Sequence, residues 1–517
     1  MQKLQIIIDN NETRIVGQIP MEANNALSDK MSYVMKGREH VQSYIDDEWD
    51  GVVRLFKPSG FLSGLLGIVK GTFDEYGVEY EVCDERRRTS NNFPELEFTY
   101  PEGYEKRDYQ DFTVERSIQI TRGTLNIATG GGKTVIVAKL IGDLKVKPFL
   151  FYTLTKDLLY QAKDVLGKHL NCKIGQIGDS KVDIQDVTVC TKDAVLYALN
   201  KGKSVDFKKY KLDSEDVWDE SEVFGSSSAE EICELVRNCR GLYFDEVHHA
   251  SATTCQEIIN ASPNAYWRFG GSATLLREDG QEIVIQGLFG RRIVNIPLSY
   301  LVKNGHLVPA GLFVAPVTVN HNIYKSYPQI YKKCVIDNEQ VAQTIADIAI
   351  YTSGLGKSNL VLVSKIKHGQ SIKKLIPGSV FLSGRDSSKK RNQAIEDMRT
   401  GKKMVLIATT LADEGLDITN LDIVHMAGAG ASISRIPQRI GRIVRKRPGK
   451  TYGIAIYYHY CTTYLYEHGL KVKKIVKAEE GAIEIIQVAD VVDLKSEIIR
   501  YMNKKETLFG ELEKELE

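Results

Sequence analysis

Residues 127–134 read IATGGGKT, and residues 241–250 read GLYFDEVHHA. Gly130, Gly131 and Gly132 can turn successive backbone N–H groups into one concavity. Without Cβ atoms, that backbone can approach a phosphate closely. Thr129 opens this loop, with Ile127 standing where a glycine more often does. Lys133 supplies a point charge for β- and γ-phosphates, and Thr134 a hydroxyl for Mg²⁺. Asp245 and Glu246 end an apolar run, an arrangement that lets one carboxylate hold Mg²⁺ while the other orients and deprotonates water. His248 and His249 follow, but no cysteine or further histidine stands at ligand spacing, so zinc is not expected. A third set lies at 438–445, QRIGRIVR. Helical spacing would put Gln438, Arg442 and Arg445 on one face, from which planar guanidinium groups could reach across a cleft to a γ-phosphate. The chemistry these residues predict is hydrolysis of a nucleoside triphosphate.

Such side chains need a rigid frame. GTLNIA (123–128) reads as a strand feeding the glycine loop, and TVIVAKLIG after Lys133 as a helix whose N-terminus faces the phosphates. Between Tyr104 and Pro309, apolar strands at 124–128, 148–153, 187–190, 241–245 and 268–272 alternate with helical stretches. A second series follows at 359–364, 379–382, 404–409, 423–426 and 453–457. This alternation predicts two tandem parallel-sheet domains, over 104–310 and 311–490. Residues 1–100 read as a separate small α/β module, with strands at Leu4–Ile8, Thr13–Val16 and Gly51–Phe56 and helices at 21–39 and 62–76. Trp49, Arg54, Lys57 and the run Arg86–Arg87–Arg88 would give it an aromatic, basic surface suited to phosphate, although Trp49 could equally be core and the run a solvated linker. Ser90–Gly103 reads as a linker, the acidic stretch 212–236 as a surface insertion, and 491–517 as a charged helix with no strong apolar stripe.

The 517 residues exceed what one core supports. Eight cysteines without a C-x-x-C pair argue for reduced thiols and against a disulfide framework. No apolar run approaches the roughly 18 residues of a membrane span, and the first residues lack a signal-peptide core, so a cytoplasmic setting is expected. The net charge of +1 conceals polarity: residues 351–480 hold 23 Lys and Arg against 10 Asp and Glu. A basic half in a neutral chain points to a polyanionic partner.

In order, RDYQ (107–110), TGGGKT (129–134), YTLTKDLLYQ (152–161), TVCTKDA (188–194), DEVH (245–248), GSATLLRED (271–279), NLVLVSKIKHG (359–369), ATTLADEGLD (408–417) and QRIGRIVR (438–445) resemble the motifs of superfamily-2 helicases. Arg277–Asp279 and the DEVH box resemble the XPB branch, and the stretch DEWDGVVRLF to GTFDEYG resembles the first domain of bacteriophage UvsW-type helicases, which remodel forks and Holliday junctions. The resemblance implies two RecA-like domains using ATP and Mg²⁺. It implies that Gln110, with Arg107, reads adenine; that Ser272 and Thr274 couple the nucleotide site to the domain interface; and that Gly415 and Asp417 contact strand backbone and ribose. Thr155, Lys156, Thr191, Arg277, Lys365 and Thr409 would grip the nucleic-acid backbone. The expected function is an ATP-driven DNA helicase or translocase, 3′→5′ by family analogy, acting on forks, four-way junctions or single strands beside recombination or replication proteins. An RNA helicase, or the motor of a restriction or nuclease system, is the alternative.

Overall fold

The computed structural model describes residues 3–200, 226–248, 252–273, 280–318, 326–409, 418, 420–428, 435–462, 464–479 and 481–516. The chain divides into two compact units, one of residues 1–127 and 132–295, the other of 296–517 with the loop 128–131.

The first unit begins with a small α/β domain. Strands β1 (Leu4–Ile8), β2 (Glu12–Val16), β5 (Phe61–Leu62) and β6 (Tyr80–Asp84) form one sheet in the order β5-β2-β1-β6, and β3 (Ser32–Val34) pairs with β4 (Val52–Arg54). Alternation along β1 buries Leu4, Ile6 and Ile8 against Leu27, Val69 and Phe73 of two covering helices. The helix expected over 21–39 stops at Lys30. Tyr33 and Val34 favour a strand, Gly37 turns the chain at φ +79°, and Ser32–Val34 finds a partner in β4.

Residues 90–103 are not a loose linker. Phe93 and Leu96 are buried, the Phe93 amide donates to the Lys145 carbonyl, and Phe98 bridges to Leu170. This strap crosses the helix Lys133–Leu144 at Gly142, where a Cβ would stand 2.5 Å from Phe98 Cβ.

The large sheet of the first unit contains β7 (Arg122–Ile127), β8 (Phe149–Thr153), β9 (Ile174–Gly178), β10 (Lys181–Asp183), β11 (Val187–Thr191), β12 (Gly241–Phe244), β13 (Trp267–Ser272) and β14 (Arg292–Ile296), in the order β10-β9-β11-β8-β12-β13-β7-β14. Register pairs run parallel from β11 through β8, β12 and β13 to β7. Fully buried runs such as FLFYT and VTVCT suit strands covered on both faces. Of the stretch 212–236 read as an acidic insertion, residues 212–225 lie outside the described residues. Its remainder belongs to the helix Ser226–Asn238, which buries Ala229, Ile232, Leu235 and Val236 and is therefore a core element.

The second unit repeats the plan with β15 (Ala310–Val317), β16 (Asn359–Val363), β17 (Val380–Leu382), β18 (Val405–Thr409), β19 (Ile423–Met426), β20 (Gly453–Tyr460) and β21 (Ile483–Gln487), ordered β17-β18-β16-β19-β20-β15-β21. The terminal helix Leu494–Leu516 does have an apolar stripe. Leu494, Ile498, Tyr501 and Met502 enter this unit's core at helical spacing, a pattern confined to the first half and diluted by the charges after it.

Candidate active site

Parallel strands β7, β13, β12, β8 and β11 all finish on one edge of the first sheet, and every residue expected to do chemistry in this unit follows one of those ends. Ligands sit at this edge in open α/β sheets because loops there are unconstrained by crossover helices. Beyond β7 the chain turns through Gly130 (φ +83°) and Gly132 (φ +77°), and the helix Lys133–Leu144 starts immediately. Positive φ at both glycines is what lets the loop turn so tightly, but the Gly131 amide, expected to face a phosphate, donates to the Ala128 carbonyl at 2.9 Å. A Cβ on Gly132 would stand 3.1 Å from Gln110 Nε2 and 3.8 Å from the Tyr104 hydroxyl, so the expected adenine reader borders the phosphate loop.

Across the edge, Lys133 Nζ lies 2.5 Å from Glu246 Oε1 with both side chains largely buried. Glu246 occupies φ +47°, a strained setting for a non-glycine residue and typical of functional positions. The turn is held from both sides: the Asp245 amide donates to the Tyr152 carbonyl and the Val247 amide to the Gly271 carbonyl. Burial pushes the Asp245 carboxyl up to about 6; Lys133 opposes that shift and the Glu246 charge adds to it. Burial draws Lys133 downward, but Glu246 and Asp245 outweigh it, and its pKa is raised. One buried ammonium thus faces two carboxylates, a surplus of negative charge that a divalent cation would neutralise. Asp245 and the Thr134 hydroxyl are hard oxygen donors of the kind Mg²⁺ accepts. Among the described residues no cluster of three or more His, Cys, Asp or Glu forms a metal cage, and Mg²⁺ bound through one or two carboxylates and substrate phosphates needs none. The residues therefore fit Mg²⁺ with a nucleotide.

Two neighbours were not legible as site residues. The Tyr243 hydroxyl donates to Asp245 Oδ1 at 3.3 Å, passing over Gly271, whose Cβ would collide with it at 1.8 Å. Ser272 Oγ sits 2.6 Å from His248 Nδ1, itself 3.5 Å from Glu246 Oε2, so the coupling expected of Ser272 has a physical route to the expected base. Thr274, Arg277, Gly415 and Asp417 lie outside the described residues.

Thr155 and Thr191 cap the helices Lys156–His169 and Lys192–Leu199, accepting from the Leu158 and Ala194 amides. Their first task is structural. Lys156 is 3.4 Å from Asp179. In the second unit, exposed Lys365 follows β16 and buried Thr409 ends the adjacent β18, the two strands being paired Val363 to Thr409.

The arginine helix needs a correction. It spans Arg435–Ile443, keeping Gln438 and Arg442 one turn apart, with Ile436, Arg439, Ile440 and Ile443 on its buried side. Arg445 is not on it: the residue is extended and bridged to Leu307, while the Val308 amide donates to the Val444 carbonyl. Helical spacing fails there because a backbone partner captures the chain after Ile443.

The small domain's basic surface is also put to another use. Arg86 is ion-paired to Asp84 at 2.6 Å and stacks over Tyr266, and Arg88 stacks over Trp267, whose indole N–H donates to the Thr89 carbonyl. These two arginines brace the small domain on the large sheet; Arg86 is half-buried, Arg87 and Arg88 are exposed, and Arg87 takes no part in these ring contacts. Arg54 is held by Asp50, and half-buried Trp49 donates to the Val52 carbonyl.

Residues 103–277 match the family described as "Type III restriction enzyme, res subunit", and residues 342–447 match "Helicase conserved C-terminal domain". The chain is 27% identical over 405 residues to a protein of Sulfolobus islandicus filamentous virus designated a helicase by name, covering 72% of this chain and 66% of that one. It is 24% identical over 395 residues to the DNA 3'-5' translocase XPB2 of Sulfurisphaera tokodaii, covering 66% and 79%. The crystal structure of T4 UvsW is similar over 95% of this chain and 100% of that chain, at 19% identity and a TM-score of 0.43. With a glycine loop and a DEVH turn at one sheet edge, two parallel-sheet units and both helicase domains in order, the chain belongs to the superfamily-2 helicases, the ATP-hydrolysing motors built on this fold.

Proposed function

We propose that this protein is an ATP-driven DNA translocase that moves 3′→5′ and remodels forked and four-way DNA in recombination, replication or repair. The observation that carries the motor reading is the buried Lys133–Glu246–Asp245 group beside the glycine loop, with the backbone-gripping candidates Thr155, just after β8, and Thr191, the last residue of β11, on the same edge. DNA as the track, and its direction, are supported by the name of the XPB2 relative. The small domain supports branched DNA as substrate. It is fastened to the first motor sheet through Arg86, Arg88 and Trp267, so duplex arms it touched would be held in fixed register with that sheet. The test is a panel of labelled forks, four-way junctions, 3′- and 5′-tailed duplexes and RNA duplexes, run with ATP and Mg²⁺. Faster turnover of junctions and forks than of tailed duplexes, with 3′ tails preferred, is expected. A preference for RNA duplexes would replace this reading with an RNA helicase.

A further inference from the structure

Gln110 is 1% exposed, and both ends of its amide are engaged. Its Oε1 accepts from the Arg107 backbone N–H at 3.2 Å, and its Nε2 donates to the Tyr104 hydroxyl at 2.9 Å. Adenine offers an amide the same pair: an N6 amino donor for the oxygen and an N7 acceptor for the nitrogen. Guanine offers two acceptors there and cannot reproduce it. Tyr104 and Arg107 therefore present to Gln110 the hydrogen-bonding pattern of adenine itself.

The segment carrying Tyr104 is a short piece between two anchors, its Tyr104 ring packed edge-on to His169 at 5.6 Å. Upstream it is pinned where the Thr99 amide donates to the His169 carbonyl and Phe98 bridges to Leu170; downstream it joins the helix Asp108–Ile120. Between these anchors, residues 101–103, 105 and 106 are exposed, and a turn at Gly103 (φ +76°) joins the two stacked rings of Tyr100 and Tyr104, 5.2 Å apart. The polar ties from this piece to the following helix include the Tyr104–Gln110 bond and the Lys106–Asp111 pair at 2.7 Å.

We infer that Tyr104 is an adenine-responsive latch: its hydroxyl holds Gln110 in the pattern of the base, and an arriving adenine displaces it and swings residues 100–107 outward. This rests on the ATP-motor reading and adds a specificity-determining residue to it. Adenine opens the latch by replacing both bonds at once, whereas guanine would leave the amide mismatched.

The test uses the full chain with Tyr104→Phe and Tyr104→Ala, measuring calorimetric affinity for ADP, ATP and GTP with Mg²⁺, steady-state KM and kcat, and hydrogen exchange of 98–110. Removing a hydroxyl that competes through one hydrogen bond should tighten ADP binding about fivefold in Tyr104→Phe. KM for ATP should fall with kcat unchanged, and Tyr104→Ala should bind at least as tightly as wild type. ADP, but not GDP, should speed exchange over 100–107 in the wild type. Unchanged affinity in Tyr104→Phe, or a tenfold loss in Tyr104→Ala, overturns the latch; the second result would mark the ring as a stacking platform. A wild-type protein that binds no adenine nucleotide would fail at the control and overturn the motor reading, a result distinct from either variant's.

Discussion

Glu246→Gln separates the two tasks proposed for this carboxylate, activating water and pairing with Lys133. Glu246 is the expected base for the attacking water, and in the structure it holds Lys133 at 2.5 Å in a largely buried pair. Phosphate must take Lys133 away from it. A charge-assisted hydrogen bond contributes about 1.5–3 kcal/mol net, and a neutral amide retains only part of that. Taking the lower end as lost competition, ATP should bind Glu246→Gln about tenfold more tightly than wild type. Hydrolysis should fall by about 10²–10⁴, the span of a missing general base. The substitution also acts on Asp245, which Glu246 pushes up and Lys133 pulls down. With the like charge gone, its carboxyl should ionise at lower pH, so Mg·ADP affinity, expected to weaken in wild type as pH falls through about 6, should persist to lower pH in the variant. Fluorescent-nucleotide titration across pH 5–8 beside single-turnover hydrolysis measures all three quantities. Weaker ATP binding, or hydrolysis within tenfold of wild type, would refute the assignment.

Asp245→Asn should raise Tm at pH 7.5 while abolishing hydrolysis. A carboxyl held up in the folded state binds its proton more tightly there, so stability is lost as pH rises from the ordinary carboxylate range toward about 6, and the gain should vanish near pH 4 in a thermal melt. Arg268, buried without exposure, donates to the Ala265 and Ser262 carbonyls and to Asn11 Oδ1 of the β1–β2 turn; Arg268→Ala should cost about 3 kcal/mol in a urea titration and expose the 84–92 segment to trypsin. Deleting residues 1–100 would remove Asn11 from Arg268 and the Arg86 and Arg88 stacking on Tyr266 and Trp267, so the small domain's part in junction binding is better probed with Arg87→Ala in a salt-dependence assay, where losing one phosphate contact should reduce the log–log slope by about 0.9. Arg445→Ala should cut ATPase by about 10³ with ATP affinity within a few-fold. Arg447 is no inert control for it, because its guanidinium grips buried Asp422 at 2.6 and 2.7 Å and Arg447→Ala should destabilise the protein; Lys402→Ala on the exposed surface serves instead.

What could be read from residue order alone was whatever a short stretch of backbone decides for itself. TGGGKT predicts its loop because positive φ at glycine and the charge of the next residue are local properties, and the structure turns at Gly130 and Gly132 before Lys133 as expected. Strand alternation and apolar runs placed the central strands of both sheets for the same reason. Tertiary structure decided the rest. Strand β9 carries Gly175 because Asp183, Gln185 and Thr188 crowd it, and that glycine weakens the strand signal. Arg86 and Arg88 read as a phosphate-contacting surface or a solvated linker until Tyr266 and Trp267, about 180 residues away, supply rings beneath them. Arg445 leaves its helix because Leu307 offers a backbone partner from a distant stretch. The two halves of the nucleotide chemistry, Lys133 and Glu246, lie 113 residues apart. Each is recognisable alone, but their 2.5 Å approach and the raised carboxyl beside it follow from the strand order that sets β7, β13 and β12 side by side. Local conformational preference is written in neighbouring residues, whereas desolvation and charge coupling depend on which distant strands share an edge.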